Sequence, residues 1–123
     1  MSDWVRDFYA TLDALDLAAF LARFTDDAVL VLGNQPPAVG KDQITGVLGG
    51  MFAALSGLHH EYRAVHEVPG GAVCELTVTF TLHDGAQVTV PAMDALDRGP
   101  DGRITAMRVA VDLAPLMARL APA

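Results

Sequence analysis

One aspartate and one histidine have the residue types and sequence surroundings that could support acid–base chemistry. In VTVPAMDAL, residues 88–96, strict alternation puts Asp94 on a strand face that is otherwise aliphatic. An ionised carboxylate there is costly unless it is paired or neutralised, so Asp94 is a candidate general acid or base with a raised pKa. His60 shares a strand face with Leu58 and Tyr62. It is a candidate proton shuttle, and pairing with Asp94 would give an acid–base dyad.

Both residues also have structural interpretations. A neighbouring hydroxyl or backbone amide could hold Asp94, and the backbone could satisfy a partly buried His60. Alternation places His59 on the opposite face, towards solvent or a partner, and His66 on the same face as His60. His66 and His83 lie near strand ends, and no His-x-His or His–Glu spacing predicts a metal site. We therefore expect no metal and no cofactor.

The other candidate contacts for a bound molecule are aromatic, amide or apolar. A phenol can donate to a ligand oxygen, although aromatic side chains on such faces more often form the wall. Asn34, beside glycine and proline, is either a turn residue or a group that orients a ligand at the pocket mouth. Asp112 is predicted to be a helix cap outside the pocket that can pair with Arg108. The predicted substrate-binding residues are Tyr62, Tyr9, Asn34, Phe8, Trp4, Phe52, Phe80, Met107 and Val109.

The composition limits the domain organisation and the class of partner. A chain of 123 residues that is 52% hydrophobic predicts a single domain, residues 1–123, whose surplus apolar side chains line a pocket, an oligomer interface or both. The net charge of −7 argues against nucleic acid and membrane lipid as partners. The single cysteine, Cys74, excludes an internal disulfide and predicts a buried thiol. The first residues lack a signal-peptide pattern, which predicts a cytoplasmic protein.

Helical periodicity predicts three helices and a short fourth one at the end of the chain. Apolar residues recur at i, i+3, i+4 and i+7 within residues 4–15, 17–24 and 44–55. A helix tolerates proline only in its first turn, so Pro115, shortly after Asp112, predicts the start of the short terminal helix. The predicted N-caps are Ser2, Asp16, Asp42 and Asp112.

Strand periodicity predicts one strand before the third helix and four strands after it. Residues 28–32 are the apolar run expected of the first strand, which ends at a loop that contains two prolines. From residue 57 onward the period is two, and turn signals at 69–71, 84–85 and 98–102 separate four strands of an antiparallel meander. The outward face of the second of these strands is a candidate contact between the sheets of a dimer, through Glu75, Thr77, Thr79 and Thr81.

The element order, α-α-β-α-β-β-β-β, and four segments resemble the nuclear transport factor 2-like superfamily and, within it, the SnoaL-like proteins. The segments are DLAAFLARFTDDAV, GNQPPAVGKDQI, GLHHEY and VTVPAMDALDRGPDGRITAMRVAVDLAPL. The resemblance implies an α+β fold in which a cone-shaped, curved antiparallel sheet wraps around the helices, as in ketosteroid isomerase. It also implies a deep pocket for a small apolar molecule, and a homodimer formed through the sheet.

The resemblance also indicates which catalytic groups of related enzymes this chain lacks. Asp94 matches the protonated acid of ketosteroid isomerase, but Leu32 and Phe8 stand at the positions of its general base and oxyanion tyrosine. Against limonene-epoxide hydrolase, Ala92 and Val109 stand at the positions of the arginine and the second aspartate. Neither of these two mechanisms is therefore expected.

The resulting hypothesis is a cofactor-independent acid–base enzyme of the isomerase, cyclase, lyase or hydrolase type. Its substrate would be a carbonyl, epoxide or polyketide-like compound, with Asp94 and His60 as the proton-transferring residues. The alternative is a non-catalytic small-molecule-binding or dimerisation module, which the absence of both known catalytic sets favours.

Overall fold

Four helices and a six-stranded sheet make up the computed structural model, which describes residues 1–121. Residues 122 and 123, the last two of the predicted domain, lie outside the described part of the chain. No helix within residues 1–121 is long and apolar enough to cross a membrane. The elements are α1 Asp3–Asp13, α2 Leu17–Ala22, β1 Phe24–Leu32, β2 Ala38–Val39, α3 Gly40–Ala53, β3 Leu55–Val68, β4 Gly71–Leu82, β5 Gln87–Arg98, β6 Ile104–Val111 and α4 Ala114–Leu120.

The sheet has the strand order β2-β1-β6-β5-β4-β3 and confirms the predicted α+β fold with its curved, mostly antiparallel sheet. The structure adds two features to the prediction. β1 lies parallel to β6, with Leu30 opposite Met107, and β2 is a two-residue strand with Val39 opposite Val29. Parallel neighbours need a long crossover, and the chain between β1 and β6 passes through α3 and four further strands.

Three elements begin earlier than the sequence predicts. β3 starts at Leu55 rather than at residue 57. β1 starts at Phe24 rather than at residue 28, because Phe24 already pairs with Ile104 before an irregularity interrupts the ladder. α3 starts at Gly40, so Asp42 lies in the first turn instead of capping the helix. Its negative charge there still stabilises the helix through a favourable interaction with the positive end of the helix dipole.

The predicted helix caps have different outcomes. Ser2 occupies the N-cap position of α1, but its side chain makes no capping hydrogen bond. The Asp16 carboxylate accepts a hydrogen bond of 3.1 Å from a backbone N–H of α2. The prediction that Asp112 is the N-cap of α4 is wrong, because Leu113 occupies that position, but the Asp112 carboxylate still accepts a hydrogen bond of 2.9 Å from the first residue of the helix. Arg108 does not pair with Asp112, because it forms an ion pair of 2.9 Å with Asp97 on the outward face of β5 and β6.

A bulge in β3 changes which residues share the face of His60. The register shifts after Tyr62, so that Val65 lies opposite the buried Cys74. A bulge inserts one extra residue and reverses the alternation that follows it. His66 is consequently exposed, and the prediction that it shares the face of His60 is wrong.

The core lies between the helices and the concave face of the sheet. Phe8, Phe20 and Phe24 are fully buried and pack against one another, with ring centroids 4.7 to 5.9 Å apart. Burial of each such side chain contributes about 1.5–3 kcal/mol to folding. As predicted, the inward residues of β5 are all buried: Val88, Val90, Ala92, Asp94 and Leu96.

Candidate active site

A cavity of about 60 Å³ lies between the helices and the inner face of the sheet. His60 from β3 and Asp94 from β5 are the two polar side chains among its lining residues, and no lysine or arginine of the described chain lines it. Burying ionisable groups among aliphatic and aromatic side chains perturbs their proton affinities. The apolar lining consists of Leu12, Phe20, Leu30, Leu32, Leu48, Met51, Phe52, Leu58, Val78, Phe80, Ala92, Met107, Val109, Val111 and Leu113.

The two carboxylate oxygens of Asp94 have different environments. Oδ2 accepts a hydrogen bond of 2.7 Å from the Tyr9 hydroxyl. Oδ1 is buried and has no hydrogen-bond partner within residues 1–121. Burial raises the pKa of Asp94 to about 6, against the opposing effects of the Tyr9 hydrogen bond and the nearby His60. Asp94 therefore has one oxygen free for a ligand and carries a proton in part of the population near neutral pH.

Tyr9 lies behind Asp94, and it is not among the lining residues of the cavity. Its side chain is 1% exposed, and burial followed by the charge of Asp94 raises the pKa of its phenol well above the ordinary value. The hydroxyl therefore keeps its proton and donates a hydrogen bond to Asp94. In the structure Tyr9 is a hydrogen-bond partner of the Asp94 carboxylate, and its prediction as a ligand contact stays a prediction.

His60 is held by a residue that the sequence does not single out. Its Nδ1 lies 2.6 Å from Oδ1 of Asp13, at the end of α1, and its backbone N–H donates to Oδ2 of the same carboxylate at 3.3 Å. Since an ionised carboxylate only accepts, Nδ1 carries a proton, and in the neutral imidazole Nε2 then keeps its lone pair. The structure thus joins His60 to Asp13 and Asp94 to Tyr9, and the predicted direct pair of His60 with Asp94 does not form.

Two features of the sequence could have identified Asp13. It lies in the last turn of α1, where a negative charge opposes the helix dipole and costs about 0.3–1 kcal/mol. An aspartate at such a position calls for a compensating partner. It also follows Tyr9 by four residues, so both side chains project from the same side of the helix.

Four of the predicted substrate-binding residues line the cavity and five do not. Phe8 belongs to the aromatic core, and the exposed Asn34 lies with Asp112 in a surface cleft that shares Leu113 with the cavity. Trp4 lies under the guanidinium of Arg98, whose Cζ is 4.3 Å from the centroid of the Trp4 ring. Tyr62 packs edge-on against Tyr9, with centroids 5.6 Å apart. The lining members of the predicted set are Phe52, Phe80, Met107 and Val109.

The apolar residues at the positions of the missing catalytic groups also line the cavity. Leu32, Ala92 and Val109, which the resemblance places at the positions of those groups, are all part of its wall. Phe8 is buried in the core, and its neighbour Tyr9 supplies the hydroxyl that reaches Asp94. Within residues 1–121 no group of three or more His, Cys, Asp or Glu side chains is arranged to hold a metal ion.

The fold is that of the nuclear transport factor 2-like proteins. One such protein of unknown function from Burkholderia pseudomallei is 20% identical, with all of both chains covered and a TM-score of 0.82. A protein with the ketosteroid isomerase-like fold from Catenulispora acidiphila, in complex with trimethylamine, is 17% identical over 96% of this chain and 92% of that chain, with a TM-score of 0.82. SalBIII, an epoxide hydrolase/cyclase-like enzyme with a role in pyran ring formation in salinomycin, is 17% identical over 92% of this chain and 91% of that one, with a TM-score of 0.80.

Likeness at these identities establishes the fold, and the sequence match establishes the family. The profile of the SnoaL-like domain matches residues 5–107, and the chain belongs to this family. The resemblance drawn from the four sequence segments is therefore confirmed. No protein with a curated functional description matches the sequence significantly.

Proposed function

We propose that this protein is a cofactor-independent acid–base enzyme that acts on a small, uncharged, mostly apolar compound with a carbonyl or epoxide oxygen. The observation that carries the proposal is the buried Oδ1 of Asp94, which has no partner within the described chain, in a residue that lines the same cavity as His60. A buried polar atom without a partner is costly, and a ligand atom in the cavity would satisfy it.

The two residues have complementary roles in this proposal. Protonated Asp94 donates from Oδ1 to the carbonyl oxygen, while Nε2 of His60 takes a proton from the adjacent carbon. The electron pair of the broken C–H bond forms the double bond of an enol. With an unsaturated ketone, His60 returns its proton to the far carbon of the conjugated enol while the enol hydroxyl gives its proton back to Asp94, which re-forms the carbonyl and completes an isomerisation. With an epoxide, Asp94 would protonate the ring oxygen as the C–O bond breaks, and His60 would take the proton of the attacking water or hydroxyl.

The cavity wall restricts the substrate class. With no lysine or arginine among the described lining residues, a carboxylate or phosphate would enter without a counter-charge. A volume of about 60 Å³ admits a compact ligand, and rotation of Met51 and Met107 in the wall would enlarge the space. SalBIII, an epoxide hydrolase/cyclase-like enzyme with a role in pyran ring formation, has the same fold, and this supports chemistry at a ring oxygen for this chain.

Small-molecule binding without turnover is the second candidate, and the same oxygen favours it. When Asp94 is ionised, Oδ1 is an acceptor in an apolar cavity, and a small alkylammonium ion would pair with it while its alkyl groups contact the aromatic wall. The trimethylamine bound by the Catenulispora protein is a ligand of this type.

The two candidates differ in whether a bound ketone exchanges its α-hydrogens with solvent. In D₂O, loss of the α-proton signals of small cyclic ketones should be faster with the protein than with buffer. Asp94→Asn and His60→Gln should each reduce the protein-catalysed rate about 100-fold. Asp97→Asn and His66→Gln are matched controls, because Asp97 is on the same strand as Asp94 and His66 is on the same strand as His60, yet both residues are exposed. Binding of trimethylammonium by calorimetry, without exchange of any ketone, would leave the binding protein as the better account.

We further propose that the chain forms a homodimer through the outer face of the sheet. A depression there includes Glu75, Thr77, Pro91 and Met93, and Met93 is 48% exposed. Large exposed apolar side chains on a sheet face are typical of interfaces. Sedimentation velocity should show a dimer that Met93→Glu converts to a monomer, whereas a monomeric wild type would contradict this assembly.

A further inference from the structure

Asp13 contacts His60 at two points, and both contacts come from one carboxylate. Oδ1 binds the ring at Nδ1 and Oδ2 accepts from the backbone N–H, with distances of 2.6 and 3.3 Å. A side chain that is bound through its own ring and its own backbone cannot rotate about χ1 without losing the ring contact. The orientation of the His60 ring is therefore set from α1.

The face of the ring is restricted as well. The Tyr9 ring packs against the His60 ring with centroids 5.0 Å apart. The neighbouring His59 has its Nδ1 3.8 Å from Oδ2 of Asp13 and is 70% exposed, a distance too long for a hydrogen bond. Among the described residues, His60 is thus the histidine whose ring Asp13 binds.

The proton on Nδ1 determines what the other ring nitrogen can do. Free histidine in water favours the tautomer with the proton on Nε2, in which that nitrogen cannot accept a proton. A carboxylate bound at Nδ1 reverses this preference and leaves the Nε2 lone pair available. Asp13 does not line the cavity, so it has no direct contact with a ligand there.

We infer that Asp13 is a positioning residue, which fixes the His60 ring in the Nδ1–H tautomer and so makes Nε2 the proton acceptor of the cavity. The catalytic use of that acceptor rests on the proposed function, whereas the tautomer does not. The inference adds a third polar residue to the two that line the cavity and explains why an aspartate is placed against the dipole of α1.

Long-range ¹H–¹⁵N correlation spectra of the histidine rings test the tautomer without a substrate. In the wild type, His60 should show a protonated Nδ1 and an unprotonated Nε2. Asp13→Ala should shift His60 towards the Nε2–H tautomer. Asp13→Leu also removes the acceptor but keeps more of the side-chain volume, and its result decides the question if the alanine variant does not fold. Asp7→Ala, an exposed substitution on the same helix, should leave the His60 signals unchanged.

Two results would overturn the inference: an Nε2–H tautomer of His60 in the wild type, or an unchanged tautomer in a folded variant without the Asp13 carboxylate. The ketone-exchange assay adds a readout that a purely structural role would not give. Asp13→Leu should lower kcat about 100-fold with little change in KM, because a misdirected base affects the proton transfer and not the binding. A wild type without exchange activity would refute the proposed function, while the tautomer result would still decide the role of Asp13.

Discussion

Tyr9 and Asp13 lie one helical turn apart on α1, and each binds one of the two polar residues of the cavity. Tyr9 donates to Asp94 on β5, and Asp13 accepts from His60 on β3. The spacing i, i+4 places both side chains on the same side of the helix, above two strands that are themselves separated by β4. A single helix therefore orients both members of the candidate acid–base pair.

The raised pKa of Asp94 makes the stability of the protein depend on pH in a definite direction. Because the folded-state pKa is about 6 and the ordinary value is 3.8, the folded state holds the proton more tightly than the unfolded state. Stability must then fall as the pH rises through this window, by up to about 3 kcal/mol at about 1.4 kcal/mol per pKa unit. Asp94→Asn removes this loss, so the variant should gain stability relative to the wild type between about pH 4 and 7.5.

Urea unfolding at both ends of that pH range measures this difference. Asp97→Asn is the control with the opposite sign, because the hydrogen bond from Arg108 lowers the pKa of Asp97 and favours the folded state at higher pH. The effect in the control should be small, since the pair is half exposed. A constant difference between Asp94→Asn and the wild type at all pH values would contradict the burial of an ionisable group at position 94.

Removal of the Tyr9 hydroxyl should raise the pKa of Asp94 above about 6. Donation from Tyr9 stabilises the ionised carboxylate and opposes the effect of burial. In Tyr9→Phe neither oxygen of Asp94 has a hydrogen-bond donor within the described chain, so the ionised form is less stable relative to the neutral acid. A pH titration of the ¹³C carboxyl signal of Asp94 measures the shift. Tyr62→Phe is the matched control, because Tyr62 packs against Tyr9 and has no hydrogen bond to Asp94; a similar shift in both variants would argue against the Tyr9–Asp94 bond.

Cys74 should be unreactive in the folded protein. Its side chain is fully buried opposite Asp94 in the β4–β5 ladder, and burial raises the pKa of its thiol. Since the thiolate is the reactive species, Ellman's reagent should label the chain only when urea unfolds it. Stoichiometric labelling within minutes in native buffer would show that this part of the sheet opens to solvent.

Phe8 should act in stability and not in ligand binding, in contrast to its prediction as a substrate contact. Its fully buried ring packs against Phe20 and Phe24. Phe8→Ala should cost about 3–5 kcal/mol in the free energy of unfolding, because it leaves a cavity in the aromatic core. Ligand affinity at temperatures where the variant remains folded should be unchanged. A loss of affinity with nearly normal stability would place Phe8 in the binding site after all.

Five of the six strands could be predicted, because local signals specified each of them and the turns that join β3 to β6; the two-residue β2 was not predicted. Alternation identifies the buried face of β5, and the Asp84-Gly85 turn needs a residue with positive φ, which Gly85 adopts at +86°. The parallel pairing of β1 with β6 has no such local signal. It depends on how the whole sheet curves back on itself, so the sequence pattern alone predicted neighbours that were all antiparallel.

The two polar residues of the cavity could be found from the sequence, but their partners could not. Asp94 and His60 each interrupt an apolar pattern within a few residues. The bond between Asp13 and His60 joins positions 47 residues apart and requires the crossing point of α1 over β3. The bulge after Tyr62 has a similar origin, since it is detected only in the register of β3 against β4. The sequence therefore identifies individual polar residues of the cavity, but it does not identify the residues that form hydrogen bonds with them.

β3 is the edge strand of the sheet, and this gives the contact between Asp13 and the His60 backbone a second consequence. The N–H groups along an open edge can pair with a strand of another molecule and so begin aggregation. The Asp13 carboxylate occupies one of these donors near the middle of a 14-residue strand and places a negative charge beside it. The residue that orients the base therefore also protects the sheet against edge-to-edge association.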